Sequence, residues 1–206
     1  MDSLIFDIDG TLWDSVAQVA EAWQTVCREE NADAGLITVP GLRKEFGKTL
    51  PEIGVSLFSG LEAKDAIALM EKCCTYENEY LLSHRPPAYP GVEEVFRTLS
   101  KRIPLFIVSN CQAGYIEVFL EDTGLAPYVK DHLCPGDTNE AKAANIRTII
   151  SRYQLKSPAY VGDTIGDYNA VREAGLTFIY AEYGFGSVPN PDFRISRPSD
   201  LLNLKI

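Results

Sequence analysis

The sequence predicts an α/β fold in which a parallel sheet, covered by helices on both faces, is interrupted after its first strand by a helical insertion. Three observations predict it. Short apolar runs alternate with amphipathic helical stretches through residues 92–181, the rhythm of a parallel sheet with crossover helices. Residues 14–84 read as helical throughout. Between these regions, His84–Gly91 carries three prolines in five residues, which suits a stiff boundary. The expected division is therefore a core of residues 1–13 and 86–206, with a helical cap over 14–85.

Each element has its own signal. Ser3 to Ile8 is an apolar run stopped by acids and Gly10, the pattern of a buried strand. Val16, Val19, Ala20, Trp23, Val26 and Cys27 then share one helical face, and Ser15 with Gln18 predicts a capping box. Thr49 with Glu52 predicts another, with Pro51 in the first turn, where its missing N–H costs little. A longer helix is expected over about Glu62 to Leu82. Beyond the prolines, strands are expected at Ile103–Val108, Val129–Cys134, Ala159–Gly162 and Thr177–Ala181. Helices are expected around Val92–Leu99, Tyr115–Leu120, Ile146–Tyr153 and Tyr168–Ala174.

Composition narrows the function. With 46% apolar and 23% charged residues the chain is ordinary globular protein. A net charge of −10 argues against nucleic acid as a partner, because phosphate backbones need clustered cations. A small anion can still bind where a metal or a local cation reverses the field. The five cysteines are odd in number and lack a Cys-x-x-Cys, so reduced thiols are expected. With no apolar run long enough to span a membrane and no signal-peptide pattern, the expected location is the cytoplasm. Oligomeric state is not encoded in anything legible here.

Open parallel sheets bind ligands beyond the carboxyl ends of their strands. Those ends carry Asp7-Ile8-Asp9-Gly10-Thr11, Ser109-Asn110 and Gly162-Asp163-Thr164-Ile165-Gly166-Asp167, and Lys142 opens a helix before the last of these. Asp7, Asp9 and Asp163 brought together would repel and raise one another's pKa. A hard divalent cation relieves that repulsion, and oxygen donors without His or Cys favour Mg2+. The Ser109 hydroxyl and the Lys142 ammonium suit the oxygens of a phosphoryl group, and a carboxylate is a competent nucleophile toward phosphorus.

Asp-x-Asp-Gly-Thr, Ser-Asn, the downstream Lys and Gly-Asp-x-x-x-Asp, in that order, resemble the four motifs of the haloacid dehalogenase-like hydrolases, in the helical-cap branch that includes phosphoglycolate phosphatases. The resemblance covers nearly the whole chain and implies a Rossmann-like core. It implies Asp7 as nucleophile and Mg2+ ligand, and Asp9 as general acid and base with its carbonyl on the metal. It implies Ser109, Asn110, Thr11 and Lys142 as phosphate ligands, with Lys142 also restraining Asp7. Asp163 and Asp167 complete the metal set, Asp167 directly or through water. Ala143 departs from the proline that often follows the family's lysine.

Simpler readings stand beside these. Asp167 could charge the first turn of a helix, and Ser109 could N-cap one. Gly184-Phe185-Gly186 lacks the third glycine of a dinucleotide loop and reads as a loop. Trp23 reads as core of the helical insertion. Arg43, Lys44 and Lys48 read as solvated charge, with Lys48, before the Thr49 helix start, as the candidate substrate contact.

The resemblance implies a Mg2+-dependent phosphatase acting on a small phosphorylated metabolite through an aspartyl-phosphate. Asp9 argues against a dehalogenase, which donates no proton to a leaving alcohol. A β-phosphoglucomutase-like phosphotransferase stays open, although Thr11 stands where that branch has a bulkier aliphatic residue. A phosphorylated receiver-type signalling module is disfavoured by the Asp-x-Asp spacing and the large insertion.

Overall fold

The computed structural model describes residues 1–204. Its contacts divide the chain into two compact units, one of residues 1–14 together with 88 onward and one of Ser15–Pro87.

Strand β1 (Ser3–Phe6) opens the first unit and stops two residues short of Ile8. The second unit is helical: α1 (Val16–Glu29), α2 (Val39–Glu45), α3 (Leu50–Leu57) and α4 (Ala63–Ser83). The stripe on α1 is buried at Val16, Val19, Ala20, Trp23, Val26 and Cys27, and α1 and α3 both pack on α4. The indole N–H of Trp23 donates to Glu77 Oε2 at 2.5 Å, so this buried carboxylate on α4 is paired within the unit's core. Thr49 and Glu52 form the expected capping box. Ser15 does not cap α1 through its side chain. Its backbone is already helical (φ −89°, ψ −6°), and a cap needs an extended residue to aim its hydroxyl at the first N–H groups.

The first unit continues with α5 (Val92–Leu99), β2 (Leu105–Val108), α6 (Tyr115–Thr123), β3 (Val129–Leu133), α7 (Pro135–Thr138), α8 (Lys142–Tyr153), β4 (Pro158–Gly162), α9 (Ile165–Ala174), β5 (Thr177–Ala181) and β6 (Phe193–Ile195). The six strands form one sheet in the order β3-β2-β1-β4-β5-β6, every pair parallel. The sheet is Rossmann-like, as the sequence predicts. Strand β6 escapes the sequence pattern because it is a three-residue edge strand with only Ile195 buried.

Alternation along the strands gives each face its own helices. Ile5, Phe106, Val108, Tyr160, Phe178 and Tyr180 pack in one cluster with Ile146 and Ile149 of α8 and Val171 of α9. Phe6 points the other way and meets Phe96 of α5, ring centroids 4.9 Å apart. The chain leaves β1 in one direction to build β2 and β3 and returns to its other side for β4 to β6. The strand order therefore reverses between β1 and β4, where an open α/β sheet forms its ligand crevice. Among the described residues no helix is long and apolar enough to cross a membrane.

Candidate active site

The carboxyl ends of β1 and β4 lie side by side. Phe6 is in register with Val161, and the Asp7 N–H donates to the Val161 carbonyl at 2.9 Å. The next residues out of the sheet are Asp7 on one strand and, past Gly162, Asp163 on the other. Asp167 follows in the first turn of α9. Carboxylate oxygens of Asp7, Asp163 and Asp167 all fall within 4.8 Å of one another, and all three side chains are buried.

One cation joins them. Lys142, the first residue of α8, places Nζ 3.0 Å from Asp7 Oδ1 and 2.6 Å from Asp167 Oδ1, at 4% exposure. Three carboxylates against one ammonium leave a formal excess of two negative charges in a buried space. The titration of these groups follows from that. Burial, then the charge of Asp167, push the Asp7 carboxyl up to about 7 against the opposing pull of Lys142 and of a hydrogen bond from Ser109. Burial, then Asp167 and Asp7, push Asp163 well above the usual carboxylate range. Burial works to lower Lys142, but Asp167 and Asp7 outweigh it and hold the ammonium well above an ordinary lysine. A divalent cation among these oxygens would remove the excess charge, and the donor set, all oxygen, fits a hard ion such as Mg2+.

The surroundings are fitted to these carboxylates. Asp163 Oδ1 accepts from the Thr11 hydroxyl at 3.2 Å, and Oδ2 accepts from the Phe185 N–H at 2.7 Å. A Cβ on Gly10, which has φ +78°, would lie 2.2 Å from Asp163 Oδ2, and one on Gly184 would lie 2.3 Å from Asp163 Cβ. Asp167 is doubly anchored. Its Oδ1 accepts from Lys142, while Oδ2 accepts from the Thr164 N–H at 3.0 Å and hydroxyl at 2.7 Å, in a capping box that starts α9. The first-turn reading of Asp167 and its presence in the carboxylate cluster thus describe the same side chain.

Ser109 is buried just past β2, where its hydroxyl works to lower the Asp7 carboxyl. It is not an N-cap, because α6 begins only at Tyr115, behind a left-handed Gly114. Asn110 follows it, half-buried. Asp9 is half-buried beyond β1, and its Oδ1 accepts from the Trp13 indole N–H at 2.9 Å and the Tyr115 hydroxyl at 2.7 Å. The Thr11 hydroxyl, expected on phosphate, donates to Asp163 beside the same cluster. Lys48 belongs to the helical unit, where it pairs with Glu45 at 2.8 Å.

Four contributors escaped the sequence reading: Trp13, Tyr115, Phe185 and Gly184. Phe185 acts through its backbone N–H, which leaves no trace in residue type. The signal available was position, since Gly184 and Phe185 lie just beyond the carboxyl end of β5.

A family model described as haloacid dehalogenase-like hydrolase matches residues 4–181. The chain belongs to the haloacid dehalogenase-like hydrolases. Similar proteins named phosphoglycolate phosphatase occur in Photobacterium profundum, 27% identical over 98% of this chain and 94% of that one, and in Aquifex aeolicus, 26% identical over 99% and 96%. Among solved structures, one described as a predicted phosphoglycolate phosphatase from Haemophilus somnus superposes with a TM-score of 0.86 at 20% identity, covering 100% of this chain and 98% of that one. A haloacid dehalogenase-like family hydrolase from Streptococcus pneumoniae gives a TM-score of 0.79 at 20% identity, with 98% and 97% covered. At these identities the structural likeness speaks for the fold of the family.

Proposed function

We propose that the protein is a Mg2+-dependent phosphatase that hydrolyses a small organic phosphate monoester through an aspartyl-phosphate on Asp7. The observation that carries this reading is the meeting of Asp7, Asp163 and Asp167 with Lys142 at the β1/β4 switch point. The naming of its relatives as phosphoglycolate phosphatases supports the same chemistry and makes phosphoglycolate the first substrate to try.

In this reading Asp7, Asp163 and Asp167 would hold Mg2+, and the Asp9 carbonyl would add to the set. The ion supplies charge neutralisation for the phosphoryl group when bound. Asp167, anchored at both oxygens by Lys142 and Thr164, would meet the ion directly or through water. A carboxylate oxygen of Asp7 attacks phosphorus, and the bond from phosphorus to the ester oxygen breaks. Asp9 gives its proton to the departing alcohol. Asp9, now a carboxylate, takes a proton from a water that attacks the same phosphorus. The bond to Asp7 breaks, and inorganic phosphate leaves. Lys142 and Ser109 balance the negative charge on the non-bridging oxygens. Asn110, next along the same loop, and Thr11, which also bonds to Asp163, are further candidates for phosphate contacts. Lys48 is our candidate for a substrate contact from the helical unit. Residues 14–85 act as the cap that sets which ester enters. Five free buried thiols support a reducing compartment, the cytoplasm.

The test is phosphate release from p-nitrophenyl phosphate and a panel of metabolite phosphates that includes phosphoglycolate, with and without Mg2+. Release that requires Mg2+ and disappears in Asp7→Asn is expected. Inactivity across the panel with Mg2+, or conversion of a sugar phosphate to its isomer without release, would defeat it.

A further inference from the structure

We infer that Tyr115, with Trp13, is a positioning residue that holds the Asp9 carboxylate in the orientation from which it exchanges a proton; the catalytic part of this rests on the reading of Asp9 as general acid and base. Asp9 stands two residues beyond Asp7, past the end of β1, in an isolated bridge with Trp13. Two side-chain donors hold its carboxylate. The Tyr115 hydroxyl at 2.7 Å and the Trp13 indole N–H at 2.9 Å both end on Oδ1. Anchoring Oδ1 holds the plane of the carboxylate, and with it the direction in which the group exchanges a proton.

The two donors are themselves held rigidly. Tyr115 is 2% exposed and Trp13 fully buried. Their rings meet edge-on at 5.7 Å and 76°, and Trp13 meets Phe119, one turn further along α6, edge-on at 5.0 Å and 83°. The backbone between Asp9 and Trp13 closes on itself, with the Gly10 N–H on the Trp13 carbonyl at 3.0 Å and the Trp13 N–H on the Ile8 carbonyl at 3.3 Å. Tyr115 comes from the segment that also carries Ser109 and Asn110, so the phosphate-binding loop and the acid/base are braced by one aromatic cluster. The hydroxyl of a buried tyrosine needs a partner, but structural need alone would be met by any acceptor. Here both indole and phenol spend their donors on one oxygen of the same carboxylate.

Tyr115→Phe removes the hydroxyl and keeps the ring. Its rate is compared with wild type on aryl and alkyl phosphates, whose leaving groups need little and much proton donation, in the full chain with Mg2+. Losing a hydrogen bond to a charged group predicts roughly a ten-fold drop in kcat/KM for alkyl esters and a much smaller one for p-nitrophenyl phosphate, with the native circular dichroism spectrum retained at the assay temperature. In an Asp9→Asn background the same substitution is expected to change little, because two residues acting through one group are not additive. An equal drop on every ester, or the full drop in the Asp9→Asn background, would overturn the inference. Crystal structures of wild type and Tyr115→Phe read the Asp9 rotamer whether or not any ester is turned over. An unmoved carboxylate there overturns the positioning role, while an inactive wild type with a moved carboxylate points to failure of the phosphatase reading alone.

Discussion

Nζ of Lys142 lies 3.0 Å from Oδ1 of Asp7, and neither side chain reaches solvent appreciably. The same ammonium holds Asp167 at 2.6 Å, so one lysine opposes the charge of two buried carboxylates. Removing one partner of a buried ion pair leaves an uncompensated charge. Lys142→Met is therefore expected to lose about 3–5 kcal/mol of stability in metal-free buffer near neutral pH. Part of that should return with Mg2+, since a cation that binds only the folded state stabilises it. Urea denaturation with and without Mg2+ measures both; unchanged stability would show that Lys142 is not the counter-charge.

The packing of Gly184 on Asp163 makes a sharper prediction about the metal. A methyl group there would meet Asp163 Cβ at 2.3 Å and the Gly10 carbonyl oxygen at 2.4 Å, and backbone cannot yield as a flexible side chain can. Gly184→Ala should displace Asp163 and raise the Mg2+ concentration needed for half-maximal activity by roughly 10–100-fold, the scale of losing a metal ligand's support. A Mg2+ titration of phosphate release checks it, and an unchanged midpoint would remove Asp163 from the metal set.

Trp23 and Glu77 test the helical unit separately. Their 2.5 Å bond is buried, and Glu77 is 3% exposed. Trp23→Phe deletes the N–H and is expected to cost about 1–3 kcal/mol, the price of under-satisfying a buried acceptor. Chemical denaturation measures it, and a change of a few tenths would mean that the bond contributes little.

Asp192 carries a pH prediction away from the site. Burial works upward on its carboxyl, but the Arg172 guanidinium and the Phe178 N–H, each at 2.8 Å, outweigh it and hold the group below its ordinary value. The sign follows from that. A lowered folded pKa adds stability above the unfolded value, and the gain disappears as pH falls through the folded one. The group is largely exposed, so screening keeps the effect small. Asp192→Asn should cost about 0.5–1 kcal/mol at pH 7, and the cost should shrink to nothing as the pH falls from the ordinary carboxylate range through the lowered folded pKa. Thermal melts across that range would show the two proteins converging, and parallel curves would contradict the assignment.

The fold was largely legible because strand and helix periods leave a mark in residue type. Buried strands such as Leu105–Val108 are continuous apolar runs, and the α1 stripe recurs at helical spacing. Phe193–Ile195 lacked that mark, since an exposed edge strand is specified by its neighbour and not by its own side chains. In the site, Asp7, Asp163, Asp167, Ser109 and Lys142 announced themselves by chemistry at strand ends, and the structure brings them together. Thr11 had the right chemistry, but only its surroundings reveal that its hydroxyl meets Asp163. Ser109 and Ser15 looked like caps, and backbone angles, not residue type, decide capping. Trp13 and Tyr115 are buried aromatic residues. Their donors' common target is 106 positions from Tyr115 in sequence, a relationship no local pattern encodes.

The central claim is that Asp7 takes the phosphoryl group. Rapid quenching of the protein with Mg2+ and an ester carrying radiolabelled phosphate, followed by peptide mapping, tests it most directly. Asp9→Asn, which should hydrolyse the intermediate slowly, raises the amount trapped. Acid-stable label is expected on the peptide containing Asp7, and none in Asp7→Asn. Turnover without protein-bound label, or label on any other residue, would contradict it.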